Sequence, residues 1–152
     1  MLIVTVLRAK TGDGVEAVVT VPPGATVRDL LDVLARNRIG AVVVSPADGS
    51  PHGGIVGIVS ERDVVRHLRA SGASILDRPV SHIMTTDVVT CRRETAVEEL
   101  MSTMTDRRIR HVPVVDDAGA LVGIVSIGDL VKSRISELEG ERDDLVGYIG
   151  AR

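Results

Sequence analysis

Apolar residues in this chain fall into short runs and stripes, and the runs come back. Val18-Val19-Thr20-Val21 is a compact β-branched run, closed by Pro22-Pro23-Gly24, and predicts a short buried strand over residues 17–21. Val27, Leu30, Leu31 and Leu34 then fall at i, i+3, i+4 and i+7, the stripe of one helical face. Thr26 is the expected N-cap, with Asp29 three residues on as a weaker form of the capping box, and Gly40 is the expected stop. Ala41–Val44 predicts a second strand, Ser45–Gly53 a loop, and Ile55–Val59 a third strand. That strand leads into Ser60…Asp63 and a helix to about Arg69. Ahead of all this, residues 2–9 are an apolar segment that reads equally as helix or strand, followed by turn residues from Thr11 to Gly14.

After a linker from Ala70 to Pro79 and one helical turn over Val80–Thr85, the order repeats. Val88-Val89-Thr90-Cys91 resembles Val18–Val21 and predicts a strand. Val97, Leu100, Met101 and Met104 stand 70 positions after the first stripe, and Arg108-Ile109 matches Arg38-Ile39 at the same offset. Val112–Val115 takes the place of the run from Val42, and Asp116-Asp117-Ala118-Gly119 is a tight turn where the first copy has a longer loop. Both units close on one pattern: Gly57-Ile58-Val59-Ser60-Glu61-Arg62-Asp63 and Gly123-Ile124-Val125-Ser126-Ile127-Gly128-Asp129. Stripe, strands and turn recurring in one order make an internal duplication. From Ile127 the pattern continues as a long helix. Ile135, Leu138, Leu145 and Ile149 take a and d positions of a heptad, with Arg142 at an a position. That helix either packs along its own domain or forms a subunit contact.

In each closing turn a serine ends a strand and an aspartate enters the first turn of a helix. The plain reading is a cap and a dipole-complementing carboxylate, about 1 kcal/mol each. The chemical reading is a hydroxyl and a carboxylate beside free N–H groups at a helix N-terminus, a place suited to a polar, phosphate-bearing ligand.

Composition removes several classes. One tyrosine, no phenylalanine and no tryptophan leave no aromatic platform for base stacking, and a net charge of −3 supplies no basic field, so nucleic-acid binding is not expected. Within the 152 residues no apolar run reaches the roughly 18 residues of a membrane span, and the N-terminus lacks a secretory pattern. Cys91 is the one cysteine, which excludes an intramolecular disulfide and paired-thiolate zinc, fits a reduced cytoplasmic setting, and reads as a half-buried strand residue. His52, His67 and His82 stand singly, without metal-ligand spacing, so no metal site is expected.

The duplicated unit closing on G-h-h-S-x-x-D, with the Arg110-His111-Val112-Pro113-Val114 stretch, resembles the CBS domain, named after cystathionine β-synthase. Two tandem copies look like a CBS pair, or Bateman module, of the small stand-alone bacterial type. The resemblance implies an α+β fold of two β-α-β-β-α repeats packed about a pseudo-two-fold axis. The expected division is repeat 1 over 15–69, linker 70–83, repeat 2 over 84–135 and a C-terminal helical extension over 136–152. It also implies regulatory binding of an adenosine-containing ligand (AMP, ADP, ATP, NAD or S-adenosylmethionine) in two clefts between the repeats. Ser60 with Asp63, and Ser126 with Asp129, match the ribose-binding positions. A carboxylate can accept from both ribose hydroxyls. Backbone at Ile39–Val42 and Arg110–Pro113 would frame the adenine, with Ile39, Ala41, Val112 and Pro113 as its contacts, and Thr20 and Thr90 match positions that reach the base. The copies differ: Arg110-His111 stands where the first has Gly40-Ala41. The Ser60/Asp63 site is therefore expected to receive Arg110 and His111 as a phosphate clamp, with Arg62 as a third charge. The Ser126/Asp129 site faces the uncharged Gly40-Ala41, with Lys132 near in sequence, and is expected to hold phosphate less tightly.

The leading expectation is a sensor with no chemistry of its own and no catalytic cofactor, acting on an unidentified target protein and forming a homodimer. The alternative is a ligand-free dimerisation or interaction module. An enzyme is disfavoured: no Walker loop, GxGxxG, Ser/His/Asp set or metal cluster stands in the sequence.

Overall fold

The computed structural model describes residues 1–12, 18–46 and 54–150. Most of the loop expected over Ser45–Gly53, with His52, lies outside them. The elements run α1 (Ile3–Thr11), β1 (Thr20–Val21), α2 (Val27–Asn37), β2 (Ala41–Val44), β3 (Gly57–Ser60), α3 (Glu61–Ser71), α4 (Val97–Arg107), β4 (His111–Val115), β5 (Leu121–Ser126) and α5 (Ile127–Gly150). Short 3₁₀ turns cover Gly72–Asp77 and Val80–His82, inside the stretch expected as linker and single turn. The segment at the N-terminus is a helix. The fold is mixed α and β, with two like repeats.

In the first repeat β1 pairs parallel with β2, and β2 antiparallel with β3, in register Ala41↔Ser60 to Val44↔Gly57. All four residues of β2 are buried, as a strand covered on both faces requires. In the second repeat β4 and β5 pair in the equivalent register, His111↔Ser126 onward. The strand expected over Val88–Cys91 is reduced there to one parallel bridge, Cys91↔Val114. Cys91 N–H donates to the Pro113 carbonyl at 3.0 Å, and Val115 N–H donates to the Cys91 carbonyl at 2.9 Å. One step back along the ladder the donor would have to be the N–H of Pro113, which proline lacks, so pairing stops. Cys91 itself is buried rather than half-buried, and burial pushes its thiol pKa up to about 11.

Helix α2 begins as its sequence predicts. Thr26 and Asp29 form a reciprocal capping box. It does not run to Gly40. Arg38 takes the left-handed conformation at φ 52°, its N–H on the Ala35 carbonyl, while Ile39 N–H reaches back to the Leu34 carbonyl. Arg108 and Ile109 repeat this after α4, with φ 54° at Arg108. These are Schellman ends with arginine where glycine is usual. The following isoleucine packs on the core of its own repeat and holds the turn.

The two cores are not each built from one repeat alone. Ile3, Val6 and Leu7 of α1 join the core of the second repeat, with Val97, Leu100, Met104, Val112, Val125 and Leu130. Ile75, Val80 and Ile83, ahead of the second copy's Val88–Cys91 run, join the core of the first. The exchange is symmetric. Val27 N–H donates to the Arg78 carbonyl and Val97 N–H to that of Met1. Thr26 bridges Pro79, and Ala96 bridges Leu2. The glycine that opens each closing motif is where the foreign segment comes closest. A Cβ on Gly57 would lie 2.6 Å from Met84 Sδ and 3.0 Å from the Thr85 carbonyl, and one on Gly123 would lie 2.9 Å from Leu7 Cδ2.

The two contacts differ in what can yield. Gly57→Ala meets a backbone carbonyl held in a reciprocal bridge, Ile58 N–H to Thr85 and Thr85 N–H to Ile58. It should cost about 1–3 kcal/mol of stability in urea unfolding. Gly123→Ala meets only the end of a leucine side chain and should cost clearly less. Equal losses, or none, would contradict the exchange.

Candidate functional site

Both closing motifs fold as capping boxes. Ser60 caps α3: Asp63 N–H donates to Ser60 Oγ at 3.3 Å, and Ser60 N–H donates to Asp63 Oδ2 at 2.9 Å. Ser126 and Asp129 repeat this at the start of α5, at 3.1 and 2.9 Å. The helix start is further tied down by Glu61 N–H on the Gly40 carbonyl, and Ile127 N–H on that of Arg110. Strand end, serine and carboxylate are thus fixed before any ligand arrives.

Asp63 is buried, only 8% exposed, and its two oxygens do different work. Oδ2 serves the cap, accepting from both the N–H and the hydroxyl of Ser60. Oδ1 accepts from Arg66 at 2.8 Å, and the Arg66 side chain is exposed. An exposed partner of this kind contributes little and is readily exchanged.

Asp63 opens onto a cleft of about 540 Å³, within the range of small-molecule sites. Its walls come from both repeats: the start of β2, the β3–α3 turn, the segment from Thr85 to Val89, and the passage from α4 into β4. Ser60, Arg62, Asp63, Ala41, Arg110 and His111 all line it, together with Gly40. Ile39 borders a neighbouring groove instead. Val112 and Pro113 are buried in β4, and Thr20 and Thr90 are exposed outside the lining. Val88 and Val89, just ahead of Thr90, reach the cleft. Ser126 and Asp129 lie outside it. Arg66, Arg107 and Arg108 belong to the cleft and were not singled out in the sequence, nor were Glu61 and Asp87. Arg66, three residues past Asp63 on one helix, could have been found by its i, i+3 spacing.

The inequality between the copies has a steric reason. His111 Cε1 lies 3.3 Å from where a Cβ on Gly40 would stand, so the small residue of one repeat makes room for the imidazole of the other. Burial holds the His111 pKa below its ordinary 6.5, opposed by Asp129 and Glu61 and reinforced by Lys10 and Arg110. The second turn carries a cation that the sequence did not point to. Lys10, from α1, stands 3.5 Å from Asp129 Oδ2 and donates to the Ile124 carbonyl at 3.1 Å. Among the described residues no group of three His, Cys, Asp or Glu side chains could hold a metal ion. No described helix is long and apolar enough to cross a membrane.

The family model for the CBS domain matches twice, over residues 15–70 and 80–136. The chain belongs to the CBS-domain family. It is a tandem CBS pair, a regulatory module. A CBS-domain containing protein from Agrobacterium tumefaciens has a similar structure, with 41% identity, a TM-score of 0.78, and 88% of this chain and 92% of that one covered. A CBS domain protein from Pyrobaculum aerophilum, complexed with AMP, is 32% identical with a TM-score of 0.75, covering 91% and 97%. The mitochondrial CBS domain-containing protein CBSX3 of Arabidopsis thaliana is 39% identical over 127 residues, which are 82% of this chain and 60% of that protein.

The half-buried imidazole has a consequence for pH. With its folded pKa depressed, His111 contributes stability above about pH 6.5 that is lost as pH falls and the unfolded chain takes up the proton first. The stability difference between the wild type and His111→Gln should therefore shrink between about pH 7 and about pH 5.5 in chemical denaturation. A difference that stays constant or grows would contradict the burial of a neutral imidazole.

Proposed function

We propose that this CBS pair is a sensor of an adenosine phosphate, held in the Ser60/Asp63 cleft, with no catalysis of its own. The observation that carries the proposal is the cleft itself, where a buried carboxylate at a helix N-terminus shares one cavity with cations of the opposite repeat. Asp63 Oδ1 would exchange Arg66 for the ribose hydroxyls while Oδ2 keeps the cap. Arg110 and His111 would take the phosphate, with Arg62 beside the α3 N-terminus. Ala41, Val88 and Val89 offer small and apolar surface to the base, and Thr20 and Thr90 are left out of the proposed site. Five arginines against three carboxylates in the lining favour AMP, ADP, ATP or NAD over the cationic S-adenosylmethionine. The AMP complex of the Pyrobaculum relative supports the same ligand class.

A ligand that touches both repeats favours the arrangement that brings Asp63 and Arg110 together, and can act only through that differential affinity. The Ser126/Asp129 turn would serve as a second ribose position, weaker because Lys10 already engages its carboxylate. A homodimer in a reducing cytoplasm, with an unidentified target protein, completes the reading.

Isothermal calorimetry with AMP and adenosine tests this. Asp63→Asn keeps the shape and the cap acceptor but loses the charge, and should weaken AMP about ten- to a hundredfold, the worth of one charged hydrogen bond. Arg110→Ala should weaken AMP while leaving adenosine unchanged. Absence of binding below millimolar for AMP, ADP, ATP and NAD, or wild-type affinity in Asp63→Asn, would overturn it.

A further inference from the structure

Two open grooves flank the Ser60/Asp63 cleft, and the duplication makes them counterparts. One is lined by Leu34, Ala35, Arg38, Ile39, Gly40 and Glu61. The other is lined by the corresponding positions of the second repeat, Met104, Thr105, Arg108, Ile109, Arg110 and Ile127. The first groove sets one arginine against one glutamate in an otherwise apolar wall. In the second, arginine stands for Gly40, isoleucine stands for Glu61, and α3 of the first repeat adds Arg62. The result is a groove of about 430 Å³ with three guanidiniums and no carboxylate in its wall. Among the described residues Arg62, Arg108 and Arg110 pair with no acid. Like charges gathered without a counter-ion repel one another, and an anion laid among them relieves that repulsion. The groove is continuous with the cleft, because Arg62, Arg108, Ile109 and Arg110 line both.

Taking Asp63 as the ribose position proposed above, we infer that the arginine groove receives the terminal phosphates of a nucleoside di- or triphosphate, which this pair prefers over a monophosphate. The first phosphate meets Arg110 and His111 in the cleft. Arg62 and Arg110, common to both spaces, carry the chain outward to Arg108. Guanidinium forks suit phosphate oxygens, which they can hold two at a time. Glu61 in the counterpart groove disfavours a phosphate chain there, so the chain has one direction to take. A dinucleotide fits less well. Its second ribose would need an acceptor for its hydroxyls, and the wall of the arginine groove holds no carboxylate.

The test is isothermal calorimetry of the full chain with AMP, ATP, NAD and inorganic tripolyphosphate, without added divalent cation. The wild type should bind ATP tighter than AMP by about tenfold or more, the worth of one further charged hydrogen bond. Arg108 sits at φ 54°, where glycine is unstrained, so Arg108→Gly removes the guanidinium without disturbing the turn. It should weaken ATP about tenfold and AMP less than about twofold. Arg38→Gly, at φ 52°, makes the same change of charge and backbone in the counterpart groove. It should leave the ratio of ATP to AMP affinity as in the wild type. Equal affinities for AMP and ATP overturn the inference and leave Asp63 standing as a ribose site. So does an ATP preference that survives Arg108→Gly, or one lost equally in Arg38→Gly. NAD bound tighter than ATP also overturns it, as does tripolyphosphate bound as tightly as ATP, which reports a site for a free anion. No binding of AMP or ATP below millimolar overturns the ribose site and the groove together.

Discussion

Each repeat is completed by the segment that precedes the other, and the contact is made at the motif glycines. Gly57 admits Met84 and Thr85, and Gly123 admits Leu7. Because β3 and β5 carry these glycines and end at Ser60 and Ser126, the same strands that accept the foreign segment also aim the two caps. Fold and site therefore share one constraint. Loosening the exchange would separate the repeats and dissolve the cleft between them, without touching any residue that lines it with charge.

The second level is the capping box. A carboxylate committed through one oxygen to a helix N-terminus cannot rotate freely, so its other oxygen is presented in a fixed direction. That is preorganisation without a ligand, and it removes part of the ordering cost of binding. The two copies then diverge through their neighbours. Asp63 is matched by an exposed arginine on its own helix, while Asp129 is matched by Lys10 on the exchanged helix. The small Gly40 and the large His111 fit across the pseudo-two-fold axis as complementary shapes. Duplication supplied two equal frames, and a few side chains made them unequal.

Local chemistry was legible and long-range partnership was not. The Thr26/Asp29 box, the α2 and α4 stripes and the Asp116 turn follow from spacing alone. The end of α2 did not: Gly40 looks like a stop, but Arg38 turns the chain first, because Ile39 gains a core contact by doing so. The strand at Val88–Cys91 was shortened by Pro113, a residue on another strand. Ala70–Pro79 reads as linker and Val80–Thr85 as one helical turn because their apolar positions are few, yet Ile75, Val80 and Ile83 close the first core. Of the proposed site, Ser60, Asp63, Arg62, Arg110, His111 and Ala41 meet in one cleft. Thr20 and Thr90 do not, since the chain brings Val88 and Val89 past the cleft instead.

A crystal structure with AMP most directly tests whether the Ser60/Asp63 turn is a ribose site clamped from the opposite repeat. The expected result is ribose hydroxyls on Asp63 Oδ1, Arg66 displaced, and the phosphate on Arg110 and His111. AMP bound with its ribose away from Asp63, or with its phosphate away from the Arg110-His111 strand, would contradict it.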